Sequence, residues 1–152
     1  MKRFLILVLA GILMLSACSG AEEENIIEAH EYWARAAAKD GNSAVYMILH
    51  NHTDVDDELI GASTDVATAV EMHESQLDAN GIAQMTQLVS IPFAVDEELE
   101  LKPGGLHIML IGLKQDLNIA DEFTLTLYFK NYGDVVLTIP VLDGPGTDEH
   151  TH

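Results

Sequence analysis

His73, Met85, His107 and Met109 are the residues of this chain whose types and spacing bear most directly on chemistry. Imidazole and thioether are neutral, soft to borderline donors. Two of each suit Cu(I), whereas Zn(II) sites draw on thiolate, imidazole or carboxylate and take thioether poorly. With no anionic donor among the four, such a site favours a monovalent ion and would release it to a thiolate-rich acceptor. Taken singly each residue is ordinary: a lone His is usually a surface or satisfied side chain, and a lone Met is usually core filler. Their combination in a cysteine-free exported domain is what raises the array.

The elements that must position these donors are strands. His107 and Met109 are two apart in a strand-like run, so their side chains should leave one face about 7 Å apart along the backbone. Leu106, Ile108 and Leu110 then face the core, as should Met72 beside His73, which becomes a reserve sulfur ligand only if the strand is irregular. His73 and Met85 lie on runs joined by Asp78-Ala79-Asn80-Gly81, a hairpin signal. A tight two-residue Asn80-Gly81 turn would put His73 and Met85 on opposite faces. A three-residue loop with Gly81 left-handed pairs Asp78 with Ile82 and puts both on one face. The site therefore requires an odd-length turn, or ligands projecting from irregular strand ends.

Short apolar or alternating runs separated by Gly, Asn, Asp and Pro recur through the chain, the pattern of an all-β sandwich or barrel. The expected strands are Ile27–Trp33, Ser43–His50, Glu58–Ala62, Ala69–Gln76, Ile82–Ser90, Glu97–Leu101, His107–Ile111, Glu122–Tyr128 and Val135–Val141. Ala34 to Ala38 is expected to form at most a helical turn.

Residues 1–17 read as a lipoprotein signal peptide: Lys2 and Arg3, an apolar run from Phe4 to Leu15, then Leu15-Ser16-Ala17-Cys18. The run is shorter than the roughly 20 residues that span a bilayer. Cys18 is then the acylated N-terminus, tethering the chain to a membrane that it faces from the periplasm or cell exterior. Residues 18–25 form an acidic tether, 26–142 the copper-binding domain, and 143–152 an acidic His-containing tail. The chain holds 1 Cys, so acylation leaves no disulfide and no thiolate ligand, which excludes blue-copper and dinuclear electron-transfer centres. Loss of Lys2 and Arg3 leaves 5 of the 7 basic residues against 25 acidic ones, moving the formal charge from -18 to -20. Nucleic acid is excluded as a partner on this balance.

The spacing of the four donors resembles that of the periplasmic copper chaperones called PCu(A)C. Their motif is a His, an optional Met, ten residues, a Met, twenty-one residues, then His-x-Met. Here His73 is followed by Glu74 in the optional position, ten residues, Met85, twenty-one residues and His107-Ile108-Met109. Similar flanks include Tyr32-Trp33-Ala34-Arg35-Ala36, Ala44-Val45-Tyr46-Met47 and Leu101-Lys102-Pro103-Gly104-Gly105-Leu106. The resemblance implies a cupredoxin-like Greek-key β-sandwich of about eight or nine short strands. It also implies a Cu(I) site made by His73, Met85, His107 and Met109, and delivery of copper toward the dinuclear copper centre of cytochrome c oxidase, whose copper-binding subunit would be the acceptor. The departure at Glu74 replaces an optional sulfur donor with a carboxylate beside the site.

His150 and His152 in the tail form a possible secondary site for Cu(II) or Zn(II). His50 and His52 read as surface residues, and His30 as exposed. No catalytic residues emerge: there is no nucleophile motif and no phosphate loop, so neither an enzyme nor a small-molecule substrate is expected. The reading is a copper chaperone. A copper-sequestering lipoprotein without a delivery role, and an adhesion or scaffold lipoprotein with incidental His and Met, are the competing classes.

Overall fold

The computed structural model describes residues 25–144, and the expected signal peptide, Cys18, and His150 and His152 of the tail lie outside the described residues. Ten strands follow in chain order: β1 (Ile27–Arg35), β2 (Ser43–Asn51), β3 (Asp57–Ser63), β4 (Ala67–Leu77), β5 (Ala83–Leu88), β6 (Ile91–Phe93), β7 (Glu98–Leu101), β8 (Leu106–Leu113), β9 (Glu122–Phe129) and β10 (Gly133–Leu142). The fold is all-β, with no helix among the described residues. Pairing runs β5-β4-β8-β2-β1-β10-β9-β3-β6, with β7 added against β2. All the ladders are antiparallel except β1 with β10, a short parallel junction at Ala34↔Val141 and Arg35↔Leu142. It joins a group holding β1, β2, β4, β5, β7 and β8 to one holding β3, β6, β9 and β10.

Alternation explains the core. Leu49, Val45, Ile108 and Leu110 from the first group, and Leu59, Leu125, Leu127 and Ile139 from the second, are fully buried in one apolar cluster. Met72 is in that cluster, as its phase on β4 requires.

Two expectations from the sequence need correction. The run Ile82–Ser90 forms a strand shortened to Ala83–Leu88, and Ile91–Phe93, where no strand was expected, forms a separate one against β3. Its Pro92 is compatible with this because β6 ends the sheet. Ala34 to Ala38 forms no helical turn: Ala34 and Arg35 complete β1 and Ala37 bridges to Leu117. Tertiary pairing overrides alanine propensity there, since one turn of helix is too short to hold itself.

Asp57 fastens the second group. Its carboxylate accepts the backbone N–H groups of Glu58 at 2.7 Å, Asn131 at 2.9 Å and Tyr132 at 2.7 Å. Burial alone would raise the carboxyl pKa, but hydrogen bonds from Asn131, Glu58 and Tyr132 outweigh it and hold it below the ordinary 3.8. A depressed folded pKa gives stability that is complete above the unfolded value and lost as pH falls through the folded one. Asp57→Asn puts an N–H donor against these N–H groups and should cost about 1–3 kcal/mol at neutral pH. The difference from the unaltered protein should shrink below pH about 4. Denaturant unfolding as a function of pH reads both.

Candidate metal centre

The β4–β5 hairpin meets the condition that the sequence imposed. Leu77 pairs with Ala83, the Asp78 N–H donates to the Ile82 carbonyl, and the Gly81 N–H donates to that of Asp78. The loop is thus Ala79-Asn80-Gly81, with Gly81 at φ 78°. The Asp78 carboxylate accepts the N–H groups of Asn80 and Ile82 at 2.8 and 2.9 Å, which rigidifies the turn. Ser75 pairs with Met85 and His73 with Gln87, so His73 and Met85 share a face as diagonal neighbours.

On its other side β4 pairs with β8, where His73 lies directly opposite His107 and Glu71 opposite Met109. Alternation therefore brings His73, Met85, His107 and Met109 to one face of three adjacent strands. The two imidazole rings have centroids 5.9 Å apart. His73 is 9% and His107 5% exposed, whereas Met85 on the edge strand is 54% exposed. Met85, His107 and Met109 line a shallow depression of about 300 Å³ with Arg35, Ser43 and Tyr46. His73 is not part of that wall; its ring lies beside that of His107.

The polar contacts show which lone pairs are free. Nδ1 of His107 is 3.0 Å from the Gly105 carbonyl and must donate to it. The same carbonyl accepts the Ser75 N–H at 3.0 Å, tying the Lys102-to-Gly105 turn to β4. Nδ1 of His73 is buried with no hydrogen-bond partner, and its Nε2 is 3.2 Å from a Glu71 carboxylate oxygen. An unpartnered buried nitrogen on an imidazole whose ring centroid is 5.9 Å from a second one, on the sheet face that also carries Met85 and Met109, suits a soft monovalent cation. Among the described residues no group of three or more His, Cys, Asp or Glu is placed to hold a metal. A site here must recruit methionine sulfur.

Sequence reasoning missed two participants and misplaced a third. Glu71, two before His73, shares its face, a relation that alternation alone could have revealed. Tyr46, whose ring lies 6.3 Å from His107 and 4.8 Å from Trp33, arrives from β2, whose place beside β8 the sequence does not state. Glu74 pairs with Leu106 and Thr86, one residue out of phase with His73. Its side chain belongs to the other face, so the carboxylate beside the donors is that of Glu71.

His50 and His52 lie half-buried at the surface with ring centroids 3.9 Å apart, His52 holding Glu28 at 3.2 Å. His30, expected to be exposed, is also half-buried, in a depression lined by Trp33, Pro140 and Leu142.

The profile of the LpqE-like family, a family of predicted lipoproteins, matches residues 27–141. The chain belongs to the LpqE-like family. A predicted lipoprotein of Leifsonia xyli subsp. xyli is 28% identical to this LpqE-like chain over 139 residues, 91% of this chain and 82% of its own length. An uncharacterized protein of Rickettsia prowazekii (strain Madrid E) is 32% identical over 115 residues, 72% of this chain and 62% of that protein, so this chain spans less than two thirds of that relative. Among solved structures, the copper-bound PCuAC domain from PmoF2 superposes with a TM-score of 0.65 at 23% identity, covering 78% of this chain and 93% of that domain. The Cu(I) form of DR1885 from Deinococcus radiodurans gives 0.58 at 25% identity, with 83% and 84% covered. The LpqE-like chain therefore has the cupredoxin-like fold of the PCuAC domains.

Proposed function

We propose that this LpqE-like protein is an extracytoplasmic Cu(I) carrier, anchored to the membrane through lipid on Cys18 and binding one copper ion through His73, Met85, His107 and Met109. The observation that carries the proposal is the convergence of two imidazoles and two thioethers on one sheet face, with a buried imidazole nitrogen left unpartnered. The copper-bound state of two structural neighbours supports it. The ion is cargo here, and the chain supplies only neutral donors that exchange one at a time.

The geometry suits handover. Three donors are held by inner strands, while Met85 stands exposed on the edge strand and is the first to be displaced by an incoming ligand. An acceptor presenting thiolates would then take the ion through a shared intermediate. The acceptor we propose is the copper-binding subunit of cytochrome c oxidase, with the ion destined for its dinuclear centre. Nothing in this cycle requires the protein to act as an enzyme.

Mixing the Cu(I)-loaded protein with an apo thiolate acceptor of comparable affinity tests the carrier role. Transfer to near-equal sharing is expected; copper that stays put would instead favour sequestration. Met85→Leu should leave stability within about 0.5 kcal/mol, as for other exposed positions. It should weaken Cu(I) by at least about 10-fold, the effect of losing even an outer partner of a ligand. Thermal unfolding and competition against a Cu(I) chelator separate the two.

A further inference from the structure

His73 and His107 face one another across β4 and β8, yet their second nitrogens meet different groups. A carbonyl oxygen only accepts, so the 3.0 Å contact with Gly105 places the His107 proton on Nδ1 and frees Nε2. At His73 the polarity is reversed. Its Nε2 lies 3.2 Å from the Glu71 carboxylate, which favours a proton there, and its Nδ1 is the buried atom with no partner. We propose that the pair is asymmetric, His107 presenting Nε2 and His73 presenting Nδ1 to the ion, and that Glu71 is the positioning residue that fixes the His73 tautomer.

Strand geometry makes Glu71 suited to this. It sits two residues before His73 on the same face of β4 and directly opposite Met109. Its carboxylate lies 3.2 Å from Nε2, the ring nitrogen other than the unpartnered Nδ1, where it can orient the imidazole as an outer partner without itself becoming a ligand. The neutral two-nitrogen, two-sulfur donor set is thereby kept intact.

This inference rests on the copper reading, but its first test needs no copper. Long-range 1H–15N correlation of the apo protein, with its imidazoles neutral, should show His73 protonated at Nε2 and His107 at Nδ1. Glu71→Leu should mix the His73 tautomers and weaken Cu(I) by about 10- to 100-fold. Glu71→Gln, which keeps an acceptor oxygen, should restore both, and the amide spectrum of each variant checks the fold. Apo His73 protonated at Nδ1, or unchanged affinity in Glu71→Leu, would overturn the assignment. So would Glu71→Gln binding as weakly as Glu71→Leu, since that marks the carboxylate as a ligand. No Cu(I) binding by the unaltered protein would instead defeat the copper reading, with the apo tautomers still measurable.

Discussion

His107→Ala should weaken Cu(I) binding by more than about 100-fold, beyond the range expected when only an outer partner of a ligand is lost. Of the four proposed donors, His107 is the one most tightly built into the structure. It is 5% exposed, opposite His73, held at Nδ1 by Gly105 and packed near Tyr46. No other side chain on β8 can replace it, because Leu106 and Ile108 are out of phase. Met109→Leu isolates sulfur from volume: the swap should cost under about 1.5 kcal/mol of stability while still weakening Cu(I) strongly. Competition titrations under reducing conditions, with unfolding curves on the same samples, provide the comparison. Affinity unchanged in both variants would leave the His and Met array incidental and restore the scaffold reading.

The second large effect concerns the fold. Asn51→Ala should destabilise the protein by about 3 kcal/mol or more, through carbonyls left buried and unsatisfied. Asn51 is 0% exposed at the end of β2. Its amide donates to the carbonyls of Val55, Phe93 and Ala94 at 3.1, 3.2 and 3.0 Å, and its Oδ1 accepts from the N–H and hydroxyl of Thr53. One side chain thereby joins β2, the loop before β3 and the segment after β6. Asn51→Asp should be at least as damaging, because a carboxylate cannot donate to three carbonyls. The midpoint of thermal unfolding should fall by on the order of 10 °C, while the folded fraction keeps its metal affinity. A loss below about 1 kcal/mol would mean that water replaces the amide.

What the sequence made legible follows the periodicity of strands. The His107-x-Met109 pair, the core phase of Ile108, Leu110 and Met72, and the odd turn at Ala79-Asn80-Gly81 are local properties. Strand alternation dictates the first two from the residues alone, whereas turn chemistry leaves a two-residue and a three-residue loop open and only the need to bring His73 and Met85 to one face selects the odd one. What was not legible depends on which strands become neighbours. Tyr46 reaches His107 only because β2 pairs with β8, and the short strand Ile91–Phe93 exists only because β3 offers it an edge. Glu74 was misplaced for a different reason. Its adjacency in sequence suggested adjacency in space, whereas a strand turns neighbouring side chains apart, and Glu71 was the carboxylate to notice.

The central claim is that two nitrogens and two sulfurs hold one copper ion. X-ray absorption on the protein loaded with a single equivalent of Cu(I) counts those donors directly. The account predicts two nitrogen and two sulfur scatterers, with a sulfur contribution that falls in both Met85→Leu and Met109→Leu. A shell of nitrogen and oxygen alone, or a sulfur signal indifferent to both substitutions, would contradict it.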